Sequence, residues 1–79
     1  MEPAVAFGIV LRRLRIEAGL TQEKLGFDAD LRRTYVSILE LGQQQPSLST
    51  ILKIAKALGC SGHDLIAAVE TELVQQHCV

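Results

Sequence analysis

The sequence predicts an all-α fold of five short helices, on three observations. Apolar residues recur at three- and four-residue spacing almost throughout. The breaks in that pattern fall on Gly, Pro and Asp, the residues that end or cap helices, and no segment needs a strand. The 79 residues allow one domain (1–79, core 4–76, with a short flexible C-terminal tail).

The first helix is expected from about Ala4 to Ala18, with Phe7, Leu11, Leu14 and Ala18 on its apolar face and Gly19 as its stop. Thr21 caps a short second helix from Gln22 to about Asp28, with Glu23 favourably placed at its positive end. A turn at Ala29-Asp30-Leu31 leads into a third helix ending near Leu41, before Gly42. Gln43-Gln44-Gln45-Pro46 is a loop. Ser47 caps a fourth helix whose face is Leu48, Ile51, Leu52, Ala55 and Leu58, with Gly59 behind it. Ser61-Gly62-His63-Asp64 reads as a capping box opening a fifth helix that carries Leu65, Ile66, Val69 and Leu73.

Composition narrows the function. At 48% hydrophobic and 22% charged residues, disorder is excluded. The apolar runs are too short to span a membrane. Met1-Glu2-Pro3-Ala4 lacks the basic start and apolar block of a secretion signal, which points to the cytoplasm. Cys60 and Cys78 are then free thiols. Together with His63 and His77 they make a Cys2His2 count, but His77 and Cys78 are adjacent in a tail, so no metal is expected. Glu70 and Glu72 point to different helix faces, and there is neither a glycine-rich phosphate loop nor a nucleophile beside a base. The expectation is a protein that is no enzyme and uses no cofactor or small-molecule ligand. The net charge of −1 sets a condition on any nucleic-acid binding. Residues 1–45 hold as many acidic as basic residues, so a DNA surface must be a local basic patch.

The informative segment is residues 21–42. Two short helices joined by about three residues must cross closely, which needs a small residue where they touch, and Gly26 sits there. Such a pair projects its second helix outward, at a length that fits the DNA major groove. With Val36 turned inward, Leu39 and Glu40 fall on the core side, while Thr34, Ser37, Ile38 and Leu41 face away. Arg32 and Arg33 stand at the helix N-terminus, where base edges are usually met first. Arginine can grip guanine O6 and N7 bidentately, Thr34 or Ser37 can bond base edges, and Ile38 can touch a thymine methyl. Thr21 and Gln22 offer backbone N–H groups and an amide to a phosphate, and Arg12 and Arg13 can flank another.

Residues 12–66 resemble the Cro and phage-repressor (XRE-type) helix-turn-helix family. The likeness is carried by Arg15 to Leu25, by Tyr35-Val36-Ser37 with Glu40 and Gly42, and by Pro46-Ser47-Leu48 through Ala55-Lys56-Ala57-Leu58-Gly59. Arg33-Thr34-Tyr35-Val36-Ser37 is also similar to the controller proteins of restriction-modification systems. The resemblance implies a λ-repressor-like fold in which helices two and three form the helix-turn-helix. It implies that Gln22 touches phosphate, that Arg32, Arg33, Thr34, Ser37 and Ile38 are base-facing, and that Gln43 to Gln45, with Gln43 and Gln44 foremost, lie near the DNA backbone. It also pairs Arg15 with Glu40 as a structural ion pair, in keeping with their places at the edges of two apolar faces. The sequence departs from the family at Asp30, where the turn usually carries Gly, and at Arg32, which replaces a small polar cap and leaves Asp30 to cap helix three.

The expected function is a DNA-binding transcriptional regulator that meets a palindromic operator as a homodimer. Double-stranded DNA and a second copy are its partners, with no membrane involved. Leu65, Ile66, Val69 and Leu73 are the expected dimer residues, because helix five has more apolar side chains than one side of a small bundle can use. The rival is a helix-turn-helix protein-interaction module such as an antitoxin or adaptor, favoured by the acidic balance, Ile38, Leu41 and the neutral glutamine loop.

Overall fold

The structure, a computed structural model, describes residues 1–77, with side chains described through Gln75. Cys78 therefore lies outside the described residues, as does the side chain of His77. The chain order is α1 (Pro3–Glu17), α2 (Gln22–Ala29), α3 (Arg33–Glu40), α4 (Leu48–Leu58) and α5 (Gly62–His77), with no strand among the described residues.

Local chemistry sets each boundary. Pro3 begins α1 where its missing N–H costs nothing. Gly19 follows α1 at φ 73°, a left-handed backbone suited to glycine. Thr21 Oγ1 accepts the Lys24 N–H at 3.0 Å and opens α2. Ser47 Oγ accepts the Thr50 N–H and also donates to Thr50 Oγ1, which keeps that hydroxyl satisfied at a buried position. Ser61 Oγ accepts the Asp64 N–H at 3.0 Å at the start of α5. Asp30 does not cap α3. It takes the left-handed position that closes α2 at φ 58°, and α3 begins on Arg32 with no side-chain cap. A short Asp tolerates that backbone better than most side chains do.

The core draws on all five helices through Val10 and Leu11, Leu25, Val36 and Leu39, Ile54, and Leu65, each fully buried. Two helix faces differ from the sequence expectation. Ala18, expected on the apolar face of α1, is exposed beyond the last turn. On α4 the inward residues are Thr50, Ile54 and Ala55, whereas Leu48 and Leu52 are 72% and 53% exposed. The apolar run along α4 is wide enough for two rotational settings. Packing against α2 and α5 selects the one that buries Ile54.

Gly8 matters to how α1 meets α3. A Cβ there would lie 2.5 Å from the Leu39 carbonyl oxygen and 2.6 Å from that of Glu40. Only glycine lets the first helix lie against the C-terminal end of the third. No described helix is long and apolar enough to cross a membrane.

Candidate nucleic-acid interface

The outward helix is positioned from both ends. At its start the chain turns tightly over Gly26, whose carbonyl accepts the Leu31 N–H at 2.7 Å. A Cβ on Gly26 would sit 2.6 Å from the Leu31 oxygen, so the crossing of α2 and α3 requires the missing side chain. Beyond the turn, Val36 and Leu39 are fully buried, which forces Arg32, Arg33 and Thr34 outward and exposed. Ser37 and Ile38, expected to face away entirely, are half-buried on the flank of the helix.

At its far end, α3 is fixed by a polar cluster. Arg15 Nε donates to Glu40 Oε2 at 2.6 Å and Arg15 Nη2 to Glu40 Oε1 at 3.1 Å, a bidentate pair. Arg15 Nη1 donates to the Leu20 carbonyl at 2.9 Å. Gln22 Nε2 donates to Glu40 Oε1 at 3.1 Å. The Glu40 side chain is only 4% exposed, so this cluster has little water to compete with. The hydrogen bonds that Arg15 donates to Glu40 push the Arg15 pKa up against the opposing effect of burial, and the carboxylate's charge adds to the rise. One carboxylate thus ties α1, the entry to α2 and the end of α3 together.

This cluster reassigns part of Gln22. One N–H of its amide serves Glu40, a use that the sequence does not reveal, and the second N–H is left for a phosphate. Spacing alone could not find the contact with Glu40, because residues 22 and 40 meet only through the crossing of the two helices. Thr21, Gln22, Glu23 and Arg33, with Arg15 at the back, line an open notch of about 390 Å³ between the starts of α2 and α3. After α3, Gly42 takes φ 72° and the Gln43 N–H reaches back to the Ile38 carbonyl at 3.1 Å. Gln43 and Gln44 leave that closed turn as exposed residues.

Other expected site residues lie elsewhere. Arg12 and Arg13 are exposed on α1 and do not join the notch. Arg13 instead forms an ion pair of 3.2 Å with Glu72, whose side chain is 9% exposed. From the sequence Glu72 is expected only to point to a different helix face from Glu70, and its burial is a finding of the structure. Its place three residues after Val69 and seven after Leu65, on the buried face of α5, is the signal that was available. Leu65 and Val69 belong to the core and cannot face a partner subunit, while Leu73 is half-buried against that core. Ile66 alone of the expected dimer residues is exposed, and it joins Leu48 and Leu52 on an apolar groove of about 400 Å³ between α4 and α5. Cys60 packs half-buried between those helices, where burial and, to a lesser degree, Asp64 push its thiol pKa up.

The family model described as helix-turn-helix matches residues 11–65. The chain belongs to the XRE-type helix-turn-helix family. The family model's bounds take in the crossing at Gly26, the Arg15–Glu40 pair and the whole of α4. Among curated relatives, control protein C.BamHI of Bacillus amyloliquefaciens is 46% identical over 61 residues, covering 76% of this chain and 75% of its own. Among solved structures, the restriction-modification controller protein C.AhdI from Aeromonas hydrophila superposes with a TM-score of 0.76 at 47% identity. That match covers 78% of this chain and 94% of the other. The controller protein C.Esp1396I, solved as a tetramer in complex with its natural 35-base-pair operator, superposes with a TM-score of 0.85 at 26% identity. There 94% and 97% of the two chains are covered.

Proposed function

We propose that this XRE-type helix-turn-helix protein is a cytoplasmic, sequence-specific transcriptional regulator that reads a palindromic operator as a homodimer, in the manner of the restriction-modification controllers it resembles. One observation carries the reading. Exposed Arg32, Arg33 and Thr34 stand at the start of α3, and the buried Arg15–Glu40–Gln22 cluster holds that helix rigidly. A helix already fixed in the free protein needs little backbone ordering on binding, so more of the energy of each base contact is retained. A major groove that accepts α3 meets the two arginines first, and a bidentate arginine–guanine pair discriminates by about 1–3 kcal/mol. Ser37 and Ile38, on the flank of α3, are the further base-facing positions.

Phosphates on one side of that groove would enter the notch beside Thr21 and Gln22, and those on the other would meet Gln43 and Gln44. The backbone N–H groups at the start of α2 supply the positive end of a helix dipole there. The α4–α5 groove, with Leu48, Leu52 and Ile66, is the surface on which a second copy would pack. The operator complex of C.Esp1396I supports this reading, because that relative assembles on DNA as an oligomer.

The test is selection from random duplex DNA, followed by titration of Arg32→Ala, Arg33→Ala and Gln22→Ala on the selected sequence. An inverted repeat with half-sites about 34 Å apart is expected. An arginine that reads guanine should, on replacement, cost about 1–3 kcal/mol and relax one base pair per half-site. Gln22→Ala should weaken binding to all sequences alike. Salt should weaken binding less steeply than for a strongly basic repressor. If no inverted repeat emerges, or both arginine variants bind as tightly as the parent, the protein-interaction reading replaces this one.

A further inference from the structure

We propose that the outer face of α1 is a docking surface for an acidic amphipathic helix of another protein. The helix has two apolar faces. One holds Phe7, Val10 and Leu11 in the core. The other, turned away from the core, carries Val5, Ile9, Arg12 and Ile16 at successive three- and four-residue steps, which align them in one row. Val5, Ile9 and Ile16 are all exposed, Ile16 by 56%. Scattered exposed aliphatics need no explanation, but a row of three opposite a completed core does. It runs about 16 Å along the helix axis, the length of three helical turns. Along its side runs a depression of about 350 Å³ lined by Gly8, Ile9, Arg12, Arg13, Ile16 and Glu40. At one end Val5 abuts Gly42, which follows the 66%-exposed Leu41 in the chain.

Charge selects the occupant. Of the three arginines on α1, Arg13 is held by Glu72 and Arg15 by Glu40. Arg12 has no carboxylate at ion-pair distance among the described residues, and it sits between Ile9 and Ile16 in the row. A partner must therefore bring aliphatic side chains flanking one carboxylate along a straight row, which is an amphipathic helix with an acidic residue in its apolar face. A phosphate backbone would leave the isoleucines uncovered. A lipid surface would call for several cations on the face, whereas this row carries one and the chain's net charge is −1. The chain's own acid-centred row, Ile66, Glu70 and Val74 on α5, adjoins the groove assigned above to the dimer, so a second copy is not the favoured occupant.

The probe is a synthetic three-turn helix with leucines one heptad apart and a glutamate between them, beside a matched peptide with lysine in place of the glutamate. Each is titrated into the 15N-labelled full chain. Amide shifts are expected along Val5–Ile16, with the lysine peptide binding at least about tenfold more weakly. Arg12→Glu should reverse that preference, and Ile16→Ser should weaken the glutamate peptide while leaving operator binding unchanged. The proposal is overturned if the shifts fall on the α4–α5 groove, if neither peptide shifts α1, or if both bind equally. It is also overturned if dilution of the unmixed protein moves the same α1 amides, which would make the row a contact between copies.

Discussion

The junction of α1, α2 and α3 and the pair α4–α5 are built from similar residues but finished differently. At the junction the polar groups of Arg15, Gln22 and Glu40 find partners inside the chain, and Gly8 and Gly26 let the helices close on one another. On α4–α5 the interior is equally well filled by Ile54 and Leu65, yet Leu48, Leu52 and Ile66 remain outside on an open apolar groove. The first region satisfies its polar groups and closes its helix crossings within one chain. The second leaves apolar area that another surface can cover, at about 25 cal/mol per Å² removed from water. Stability should therefore be most sensitive at the junction, and self-association at the groove.

The sharpest way to break this comparison is Glu40→Ala. It strands the Arg15 guanidinium at a mostly buried site and removes the acceptor for Gln22. A loss of about 3–5 kcal/mol is expected in denaturant titrations. A variant as stable as the parent would show that the cluster is ornamental. Gly8→Ala comes next. The added methyl meets backbone oxygens that cannot swing aside, so a cost of about 1–3 kcal/mol should outweigh alanine's advantage in a helix. A melt at or above the parent's temperature would mean that α1 can slide from α3 freely.

Leu52→Glu probes the other side. The side chain is more than half exposed, so unfolding of the monomer should change within about 0.5 kcal/mol. Sedimentation at micromolar concentration should nonetheless shift from dimer toward monomer. An unchanged dimer would move the interface away from the groove. The smallest effect concerns Cys60. Burial raises its thiol pKa, so in a Cys78→Ser background it should alkylate more slowly when folded than when denatured at the same pH. The linked stability is full below the unfolded thiol's pKa and is lost as pH rises through the raised folded value. Denaturant midpoints should therefore fall slightly in strongly alkaline buffer, and Cys60→Ala should flatten that fall.

Much of the arrangement was readable from residue order, because local chemistry writes helix ends directly. Thr21, Ser47, Ser61, Gly19, Gly42 and Gly59 all act at the boundaries their residue types suggest. The long-range polar pairing of Arg15 with Glu40 was legible through the family resemblance and the apolar edges it joins. What could not be read was rotation. Whether Leu52 or Ile54 turns inward on α4 depends on the packed neighbours, since both fit a helical apolar stripe. The same ambiguity hid the burial of Val69 and Glu72, which share the inner face of α5. The candidate DNA-facing arginines were legible because the boundary before α3 alone puts them at its start. The occupation of Gln22 by Glu40 was not, because it needs the crossing angle of two helices.

The Arg15–Glu40 pair spans 25 positions of chain, and the segment it closes contains α2 and nearly all of α3. That closure has a bearing on dynamics. Neither helix can detach without parting the pair and opening the core around Leu25 and Val36 as well. Amide protons of both helices should then exchange with solvent only through a collective opening, at a common rate near that of whole-molecule unfolding. The segment proposed to read DNA is in this sense the slowest part of the molecule to open.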